Sequence, residues 1–268
     1  MAQSDKTFAG SIPALYDRHL GPMLFEPYAL DIAERVTRLA PKRILETAAG
    51  TGIVTRALSR QLPTVPIVAT DLNQPMLDHA AAQTSADRIT WQQADAQALP
   101  FDDASFDVVV CQFGVMFVPD KDKAYREARR VLAPGGHFVL SVWDRIEDNE
   151  ISDVVSRAVA SLFPPDPPGF LARTPHGYHD LSAIADALKR CGFSSVRSET
   201  VEKRGRAPSP RDPAVGFCEG SPLRNEIEAR DKSRLAEATD TAAEAVARRF
   251  GRGPIDGKLL AHVFEAAR

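Results

Sequence analysis

Three acidic residues, each at the end of a short apolar run, are the strongest candidates for chemistry in this sequence. Glu46 precedes a turn that contains Gly50 and Gly52, and Asp71 and Asp95 end the next two β-prone runs. Glycine permits a sharp turn or a close approach of the backbone to a ligand, and the unpaired N–H groups that open a helix favour an anionic group. A carboxylate can accept hydrogen bonds from two vicinal ribose hydroxyls. Together these residues predict a site for a nucleotide-like ligand.

The elements around these residues alternate between strand and helix. Apolar or β-prone runs typical of strands occupy residues 43–46, 67–71, 89–95, 106–111, 138–143, 195–201 and 261–266. Segments with helical spacing occupy residues 28–36, 53–58, 76–82, 121–132, 151–163, 181–191 and 234–250. The alternation predicts a parallel, doubly wound α/β sheet, in which ligands bind at the carboxyl ends of the strands. We expect residues 261–266 to form a last strand at the edge of that sheet.

Composition argues against several classes of protein. The 268-residue chain has a formal net charge of −3 at pH 7, which gives no basic footprint for a nucleic acid. No run approaches the roughly 18 apolar residues of a membrane span, and the first residues lack the basic-then-apolar pattern of a signal peptide. Cys111, Cys191 and Cys218 are odd in number and far apart, so neither a disulfide framework nor a zinc site is expected. We therefore expect a cytoplasmic protein.

The glycine spacing separates two classes of cofactor. A dinucleotide fingerprint starting at this turn would place glycine at positions 48, 50 and 53. The chain has Ala48 and Ile53 at two of these positions. The spacing therefore disfavours a nicotinamide dinucleotide, and an NAD(P)-dependent oxidoreductase remains the less favoured enzyme alternative.

Four blocks resemble those of class I S-adenosylmethionine (SAM)-dependent methyltransferases, in the same order across roughly residues 40–145. The segment LETAAGTG at 45–52 resembles motif I, and TDLNQPML at 70–77 resembles the acidic loop after the second strand. The segment ADAQALPFDDASFD at 94–107 resembles the block before the fourth strand, and VLAPGG at 131–136 resembles the turn before the fifth. The similarity is greatest to the ubiquinone/menaquinone-biosynthesis methyltransferases and related small-molecule enzymes. One departure is Ala48, where many members have the first glycine of motif I.

The resemblance implies a Rossmann-like, seven-stranded, mostly parallel, doubly wound sheet with helical cap insertions. It also implies how the methionine end of SAM, or of its product S-adenosylhomocysteine, would be held. Glu46 would organise that end above the backbone from Ala48 through Gly50 to Gly52. Gln112, just past the fourth strand, would offer its backbone carbonyl to the methionine ammonium.

Further residues follow for the adenosine end of the cofactor. Asp71 would hold the ribose hydroxyls, and Leu72 and Met76 would pack on the adenine. Asp95 would accept a hydrogen bond from the adenine amino group, with the Ala96 N–H beside it. Tyr16 matches a tyrosine that in relatives closes over the cofactor.

The acceptor side carries weaker signals. Phe113, Met116, Phe117 and Tyr178 are candidates for the acceptor pocket, although the first three are equally compatible with plain core. His176 and His179 lie in a Pro/aromatic segment where a cap should lie, and either could serve as a general base for an oxygen or nitrogen acceptor. The alternative to a general base is a loop histidine that only forms hydrogen bonds. Without a third ligand type nearby, the His-x-x-His pair does not predict a metal site.

The sequence therefore predicts a SAM-dependent methyltransferase that acts on a small molecule, with an apolar or aromatic acceptor favoured by the proline, phenylalanine and leucine of the predicted cover. The expected segments are an N-terminal helical cap at 1–40, a SAM-binding core at 41–145, a cap loop and completion of the core at 146–207, and a helical insertion with the last strand at 208–268. We expect a monomer or homodimer without a nucleic-acid partner. A non-catalytic binding or assembly module on the same fold is the other alternative.

Overall fold

The computed structural model describes residue 8, residues 10–84 and residues 86–268. Residues 1–7 and 9, at the start of the predicted 1–40 segment, and residue 85 lie outside the described part. The chain divides into two compact units. The helical unit comprises the described residues through Pro27, Asp144–Tyr178 and Glu202–Leu260, and the sheet unit comprises Tyr28–Trp143, His179–Val201 and Ala261–Arg268.

A seven-stranded sheet forms the framework of the fold. Its strands are β1 (Ile44–Thr47), β2 (Ile67–Asp71), β3 (Ile89–Gln93), β4 (Phe106–Gln112), β5 (Leu132–Trp143), β6 (Ser195–Ala207) and β7 (Ile255–Ala267). The strand order is β3-β2-β1-β4-β5-β7-β6. Strands β1 to β5 pair in parallel, whereas β5 and β7 pair antiparallel. This confirms the predicted Rossmann-like, mostly parallel, doubly wound class, and it puts the switch in strand order between β1 and β4.

Helices follow β1, β2, β4 and β5, whereas β3 leads to β4 without a helix. The α-helices are α1 (Ile12–Leu15), α2 (Glu26–Arg38), α3 (Ile53–Gln61), α4 (Gln74–Gln83), α5 (Lys121–Val131), α6 (Glu150–Ser161), α7 (Phe170–Arg173), α8 (Leu181–Arg190), α9 (Arg211–Cys218), α10 (Leu223–Asp231) and α11 (Leu235–Phe250). A π-helix covers Tyr16–Phe25, and short 3₁₀ turns cover Val115–Phe117, Ile146–Asp148 and Lys232–Arg234. None of these helices, among the residues described, is long and apolar enough to span a bilayer.

Local chemistry explains where the helices that flank the sheet begin. The Asp120 side chain accepts a hydrogen bond of 2.9 Å from the Lys123 N–H and so caps α5. Pro75 stands in the first turn of α4, where a missing N–H is tolerated. Helix α2 has one buried face, which carries Tyr28, Ile32 and Val36, as expected of an amphipathic helix.

The last strand is not at the edge of the sheet, so this prediction was wrong. Strand β7 lies between β5 and β6, and β6 forms the edge. The burial of the strands gives the reason. Residues 261–264 of β7 are all buried, whereas β6 exposes most of its charged and polar side chains. A charged strand is suited to an edge because its side chains discourage pairing with other chains.

The helical unit contains more helix than the sequence indicated. The predicted helix at 234–250 is α11, but α9 and α10 also form within the same insertion. Helix α9 packs closely on the π-helix at Gly216. A Cβ at that position would lie 2.5 Å from the Leu20 side chain, so only glycine fits there without a shift of that side chain. Both helices also bury apolar residues, including Phe217 and Leu20, which places a separate apolar core within this unit.

Candidate functional site

The turn between β1 and α3 has the backbone geometry of a ligand-binding loop. Ala48, Gly50 and Gly52 all have positive φ angles, of 56°, 55° and 79° respectively. A side chain on Gly52 would also meet the Trp91 ring at 2.7 Å and the Ala80 Cβ at 3.1 Å. Gly52 is therefore required by packing as well as by backbone conformation. The first turn of α3 follows directly, so its unpaired N–H groups adjoin the loop.

Asp71, at the end of β2, ties this loop to the neighbouring strand. One carboxylate oxygen accepts a hydrogen bond from the Gly50 N–H at 2.9 Å, and the other accepts from the Asn73 N–H at 2.8 Å. The side chain is buried. Burial raises the pKa of Asp71, while the N–H groups of Asn73 and Gly50 oppose that rise. The residue predicted to hold ribose hydroxyls thus also holds the glycine loop in place.

Glu46, on β1 just before the loop, is buried, with 2% of its surface exposed. Its carboxylate accepts a hydrogen bond of 2.5 Å from the Thr55 hydroxyl on α3. Burial raises the pKa of Glu46 to about 8, and the negative charge of Asp71 acts in the same direction. The Thr55 hydrogen bond and the positive charge of Arg56 lower that pKa but do not outweigh burial. Burial therefore favours the protonated form of this carboxyl.

The residues predicted for the adenosine end follow β2 and β3. Leu72 is 48% exposed, which is unusual for a large apolar side chain in the described part of this chain. Met76 is buried, and its methyl carbon would lie 3.7 Å from a Cβ on Gly50. Asp95 accepts a hydrogen bond of 2.8 Å from the Gln97 N–H, and Ala96 is half-buried beside it. The exposed Leu72 side chain therefore offers apolar surface just past the end of β2.

The loop after β4 closes the same edge of the sheet. Gln112 is the last residue of β4 and is buried. Two residues later, a Cβ on Gly114 would overlap the Cβ of Ala48. The loops that follow β1 and β4, the two strands at the switch point, are therefore in direct contact. Sequence reasoning missed Gly114, although an isolated glycine shortly after a strand end signals such a close approach.

The apolar residues predicted for an acceptor pocket lie mostly in the packed interior of the sheet unit. The Phe113 ring stacks on the Trp143 ring with 3.8 Å between centroids. The Tyr28 and Phe113 rings form a T-shaped pair with 5.3 Å between centroids. Met116 is 2% exposed, whereas Phe117 is half-buried. For Phe113 and Met116 this geometry favours the core interpretation that their apolar character left open.

The remaining predicted residues divide between the two units. Tyr16, in the π-helix of the helical unit, stacks on Phe25 with 4.9 Å between centroids. His176, in the same unit, is 4% exposed, and its Nδ1 donates to the Asp144 carbonyl at 2.7 Å. Tyr178 is half-buried in that unit, whereas His179 belongs to the sheet unit and is also half-buried. The two histidines therefore have different surroundings.

The histidine pair belongs to no metal-binding cluster of the described residues. Among residues 8, 10–84 and 86–268, no group of three or more His, Cys, Asp or Glu side chains has the arrangement that could hold a metal ion. The three cysteines are buried and form no disulfide. Cys111 lies at the end of β4, and burial raises the pKa of its thiol to about 11, so it is not a reactive thiolate at neutral pH.

Comparison with known proteins shows what the segment that carries this geometry is similar to. Residues 45–140 match the model of the methyltransferase domain. Demethylmenaquinone methyltransferase from Thermus thermophilus is 43% identical over 103 residues, which cover 38% of this chain and 47% of that protein. The ubiquinone/menaquinone biosynthesis C-methyltransferase from Pseudomonas aeruginosa is 37% identical over 127 residues, covering 46% and 50% respectively. The chain thus spans about half the length of these curated relatives.

The fold is also that of solved methyltransferases. Phosphoethanolamine N-methyltransferase 2 from Haemonchus contortus, solved in complex with SAM, has a TM-score of 0.59 at 19% identity, and the match covers 96% of this chain and 56% of that one. At this identity the likeness concerns the fold alone. The matched domain, the four sequence blocks and the strand order agree with one another. Residues 45–140 are therefore similar to a methyltransferase domain, and two of the chain's sequence relatives are a demethylmenaquinone methyltransferase and a ubiquinone/menaquinone biosynthesis C-methyltransferase.

Proposed function

We propose that this protein transfers a methyl group from SAM to a small, apolar or aromatic acceptor. The observation that carries the proposal is the loop after β1, in which three residues have positive φ angles and Gly50 is held by Asp71, together with the buried carboxyl of Glu46 on β1. A ligand that has an amino-acid end and a nucleoside end fits the polar groups at the carboxyl ends of β1, β2 and β3. The matched methyltransferase domain covers the same strands.

The loop after β1 contains polar groups that a bound ligand could satisfy. The Thr51 hydroxyl, between Gly50 and Gly52, is 1% exposed and has no hydrogen-bond partner within the described chain. An unpaired buried hydroxyl is costly, and a ligand that accepts or donates a hydrogen bond there would remove that cost. The N–H groups at the start of α3 favour a carboxylate. These features support the methionine carboxylate as the group bound at this loop.

The binding roles of the predicted residues are part of the proposal. Glu46 would face the ammonium end, together with the Gln112 carbonyl, and a positive charge there would lower the pKa of the Glu46 carboxyl. Asp71 would bind the ribose hydroxyls, and Asp95 with Ala96 would bind the adenine amino group. The exposed Leu72 side chain would cover the adenine face, beside Met76. Tyr16 would close over the bound nucleoside.

The transfer asks the protein mainly for alignment and for exclusion of water. SAM supplies an electrophilic methyl group on a sulfonium that needs no covalent activation by the protein. The methyl carbon bonds to the acceptor as the bond to sulfur breaks, and S-adenosylhomocysteine and one acceptor proton are released. We propose His176 as the base that takes this proton, because its buried ring is held through Nδ1, whereas His179 is half-buried.

The acceptor is proposed as a hydroxylated aromatic ring. The named relatives act in quinone biosynthesis, but the matched domain ends at residue 140. The acceptor would therefore be selected by the segments proposed as cover, which are the N-terminal segment and residues of about 145–180 and 208–253. Loss of a hydroxyl proton to His176 would make such a ring more nucleophilic at oxygen or at the adjacent carbon.

Binding and turnover measurements test the proposal in two steps. Calorimetry should show saturable binding of S-adenosylhomocysteine, and that ligand should raise the melting temperature while NAD does not. Stabilisation by NAD alone would overturn the proposal in favour of an oxidoreductase. Incubation of 1,4-naphthoquinol with methyl-labelled SAM should then give labelled product. Binding of S-adenosylhomocysteine without transfer to 1,4-naphthoquinol or to a panel of phenols would support the non-catalytic module instead.

We further infer a cytoplasmic protein, monomeric or homodimeric, that does not bind nucleic acid. The three cysteines without a disulfide suit a reducing compartment, and the formal charge of −3 gives no basic surface for a phosphate backbone. Sedimentation should give one or two chains per particle. A mobility shift with tRNA at about 0.15 M salt would contradict the inference.

A further inference from the structure

The His176 ring is hydrogen-bonded to the Asp144 backbone carbonyl, and that carbonyl accepts a second hydrogen bond from the Asn149 side chain. The Nδ1 atom lies 2.7 Å from the Asp144 carbonyl oxygen. A carbonyl oxygen only accepts hydrogen bonds, so Nδ1 must carry the proton in this contact. In the neutral ring the lone pair then lies on Nε2, which is the atom that a general base would use.

Asn149 is the side chain that holds that carbonyl. It is fully buried and lies immediately before α6, within the same unit as His176. Its amide nitrogen donates to the carbonyls of Asp144, Arg145 and Leu260 at 3.3, 3.2 and 3.1 Å. Its amide oxygen accepts from the Leu260 N–H at 3.0 Å. The two amide protons are shared among these three carbonyls, so one side chain contacts four backbone groups of two segments that are far apart in sequence.

The backbone completes the same arrangement. The Asp144 N–H donates to the Leu260 carbonyl at 3.1 Å, so Asp144 is tied to β7 by its own amide as well as through Asn149. On the other side, the His176 N–H donates to the Leu171 carbonyl at 3.1 Å. Helix α7, which ends shortly before His176, is held at its start by Glu226, whose carboxylate accepts from the Gly169 and Phe170 N–H groups. The imidazole ring is thus fixed between two anchored segments.

We propose that Asn149 is a positioning residue for His176: it holds the Asp144 carbonyl where that carbonyl fixes the Nδ1–H tautomer and presents Nε2 as the base. The inference rests on the proposed function insofar as it concerns methyl transfer. A merely structural asparagine would stabilise the junction of α6 and β7 without affecting which ring nitrogen carries the proton. The two roles therefore differ in a measurable property.

The neighbouring residue offers a matched control. Glu150 also joins the start of α6 to β7, because its carboxylate accepts from the Lys258 N–H at 2.7 Å and pairs with Arg249. Within the described residues, none of the Glu150 hydrogen bonds involves Asp144 or His176. Glu150→Ala should therefore weaken the same junction of α6 and β7 while leaving the histidine tautomer unchanged.

The experiment uses the full chain labelled with ¹⁵N-histidine, and long-range ¹H–¹⁵N spectra report the tautomer of each ring. His176→Gln assigns the signal among the 6 histidines of the chain. The wild type and Glu150→Ala should show the neutral Nδ1–H form for residue 176. Asn149→Ala should shift this ring towards the Nε2–H or doubly protonated form. Asn149→Asp, which retains an acceptor for Leu260 but not the donors, should do the same if Asn149→Ala fails to fold.

Measurements of turnover and of S-adenosylhomocysteine binding distinguish the positioning role of Asn149 from the proposed role of His176 as the base. With 1,4-naphthoquinol and SAM, Asn149→Asp should lower kcat by about tenfold or more, while KM and the dissociation constant of S-adenosylhomocysteine stay within about threefold. An unchanged Nδ1–H signal in both Asn149 variants, or an equal change in Glu150→Ala, would overturn the positioning role. Wild-type turnover in His176→Gln would instead refute His176 as the base, while the tautomer spectra would still decide the role of Asn149.

Discussion

The buried carboxyl of Glu46 makes the stability of the sheet unit depend on pH. Its pKa is raised from 4.5 to about 8, a change of about 3.5 pH units, with burial as the largest cause. Between these pH values the folded chain retains a proton that the unfolded chain has released. The stabilising contribution of protonated Glu46 is therefore complete below about pH 4.5 and is lost as the pH rises to about 8. At about 1.4 kcal/mol per pH unit, the total is about 5 kcal/mol.

Glu46→Gln isolates this contribution. Glutamine stays neutral at every pH and its amide oxygen can still accept the hydrogen bond from the Thr55 hydroxyl. Relative to the wild type, the variant should therefore become more stable as the pH rises, by about 1.4 kcal/mol per unit between about pH 5 and 7.5. Asp71 is present in both proteins, so its own ionisation largely cancels in the difference.

Chemical unfolding followed by tryptophan fluorescence measures the effect. The 2 tryptophans of the chain, Trp91 and Trp143, both lie in the sheet unit that contains Glu46. Urea titrations of wild type and Glu46→Gln at pH 5, 6, 7 and 8 give the difference in unfolding free energy at each pH. Glu34→Gln, which removes an exposed carboxylate from α2, controls for the loss of one negative charge. A difference between Glu46→Gln and wild type that stays constant from pH 5 to 8 would refute the raised pKa.

Three further substitutions test other parts of the site and its support. Asp71→Ala should weaken S-adenosylhomocysteine binding by about 1–3 kcal/mol in calorimetry, because a charge-assisted hydrogen-bonding group is lost. Gly114→Ala should lower the unfolding free energy by about 1–3 kcal/mol in urea titrations, because its Cβ would overlap that of Ala48. Tyr28→Phe should cost about 1 kcal/mol in the same assay, because the buried Tyr28 hydroxyl donates to the Val201 carbonyl at 3.0 Å.

Each of these predictions has an outcome that contradicts it. An unchanged dissociation constant for Asp71→Ala, in a variant shown to be folded, would remove Asp71 from the cofactor site. Wild-type stability in Gly114→Ala would mean that the loops after β1 and β4 can separate without loss. Equal stability of Tyr28→Phe and wild type would show that the Val201 carbonyl finds another partner, and Tyr125→Phe, another buried tyrosine, is the matched comparison.

Much of the sheet unit could be predicted because its signals are local. Strands β1, β2 and β4 are short, mainly apolar runs between turn residues, and buried parallel strands have this composition whatever their neighbours. The glycine loop was predictable for a similar reason, since Gly50 and Gly52 stand where the backbone takes positive φ angles. Short-range sterics and backbone preferences decide such features.

The insertion was less predictable because its helices depend on contacts that are distant in sequence. Helices α9 and α10 are short, and helices of this length gain most of their stability from packing rather than from propensity. Gly216 of α9 meets Leu20, which lies near the opposite end of the chain. No local pattern reports such a partner.

The sequence by itself determined the short strands β1, β2 and β4 and the glycine loop, because spacing and residue type act over a few residues, and it predicted the cofactor class. Only the tertiary structure decided that β7 lies inside the sheet with β6 at its edge, since strand order depends on which partners bury each face. It also decided the protonation of Glu46, which depends on burial and on Asp71 being nearby. The link from His176 through Asp144 to Asn149 and β7 likewise exists only once the chain has folded.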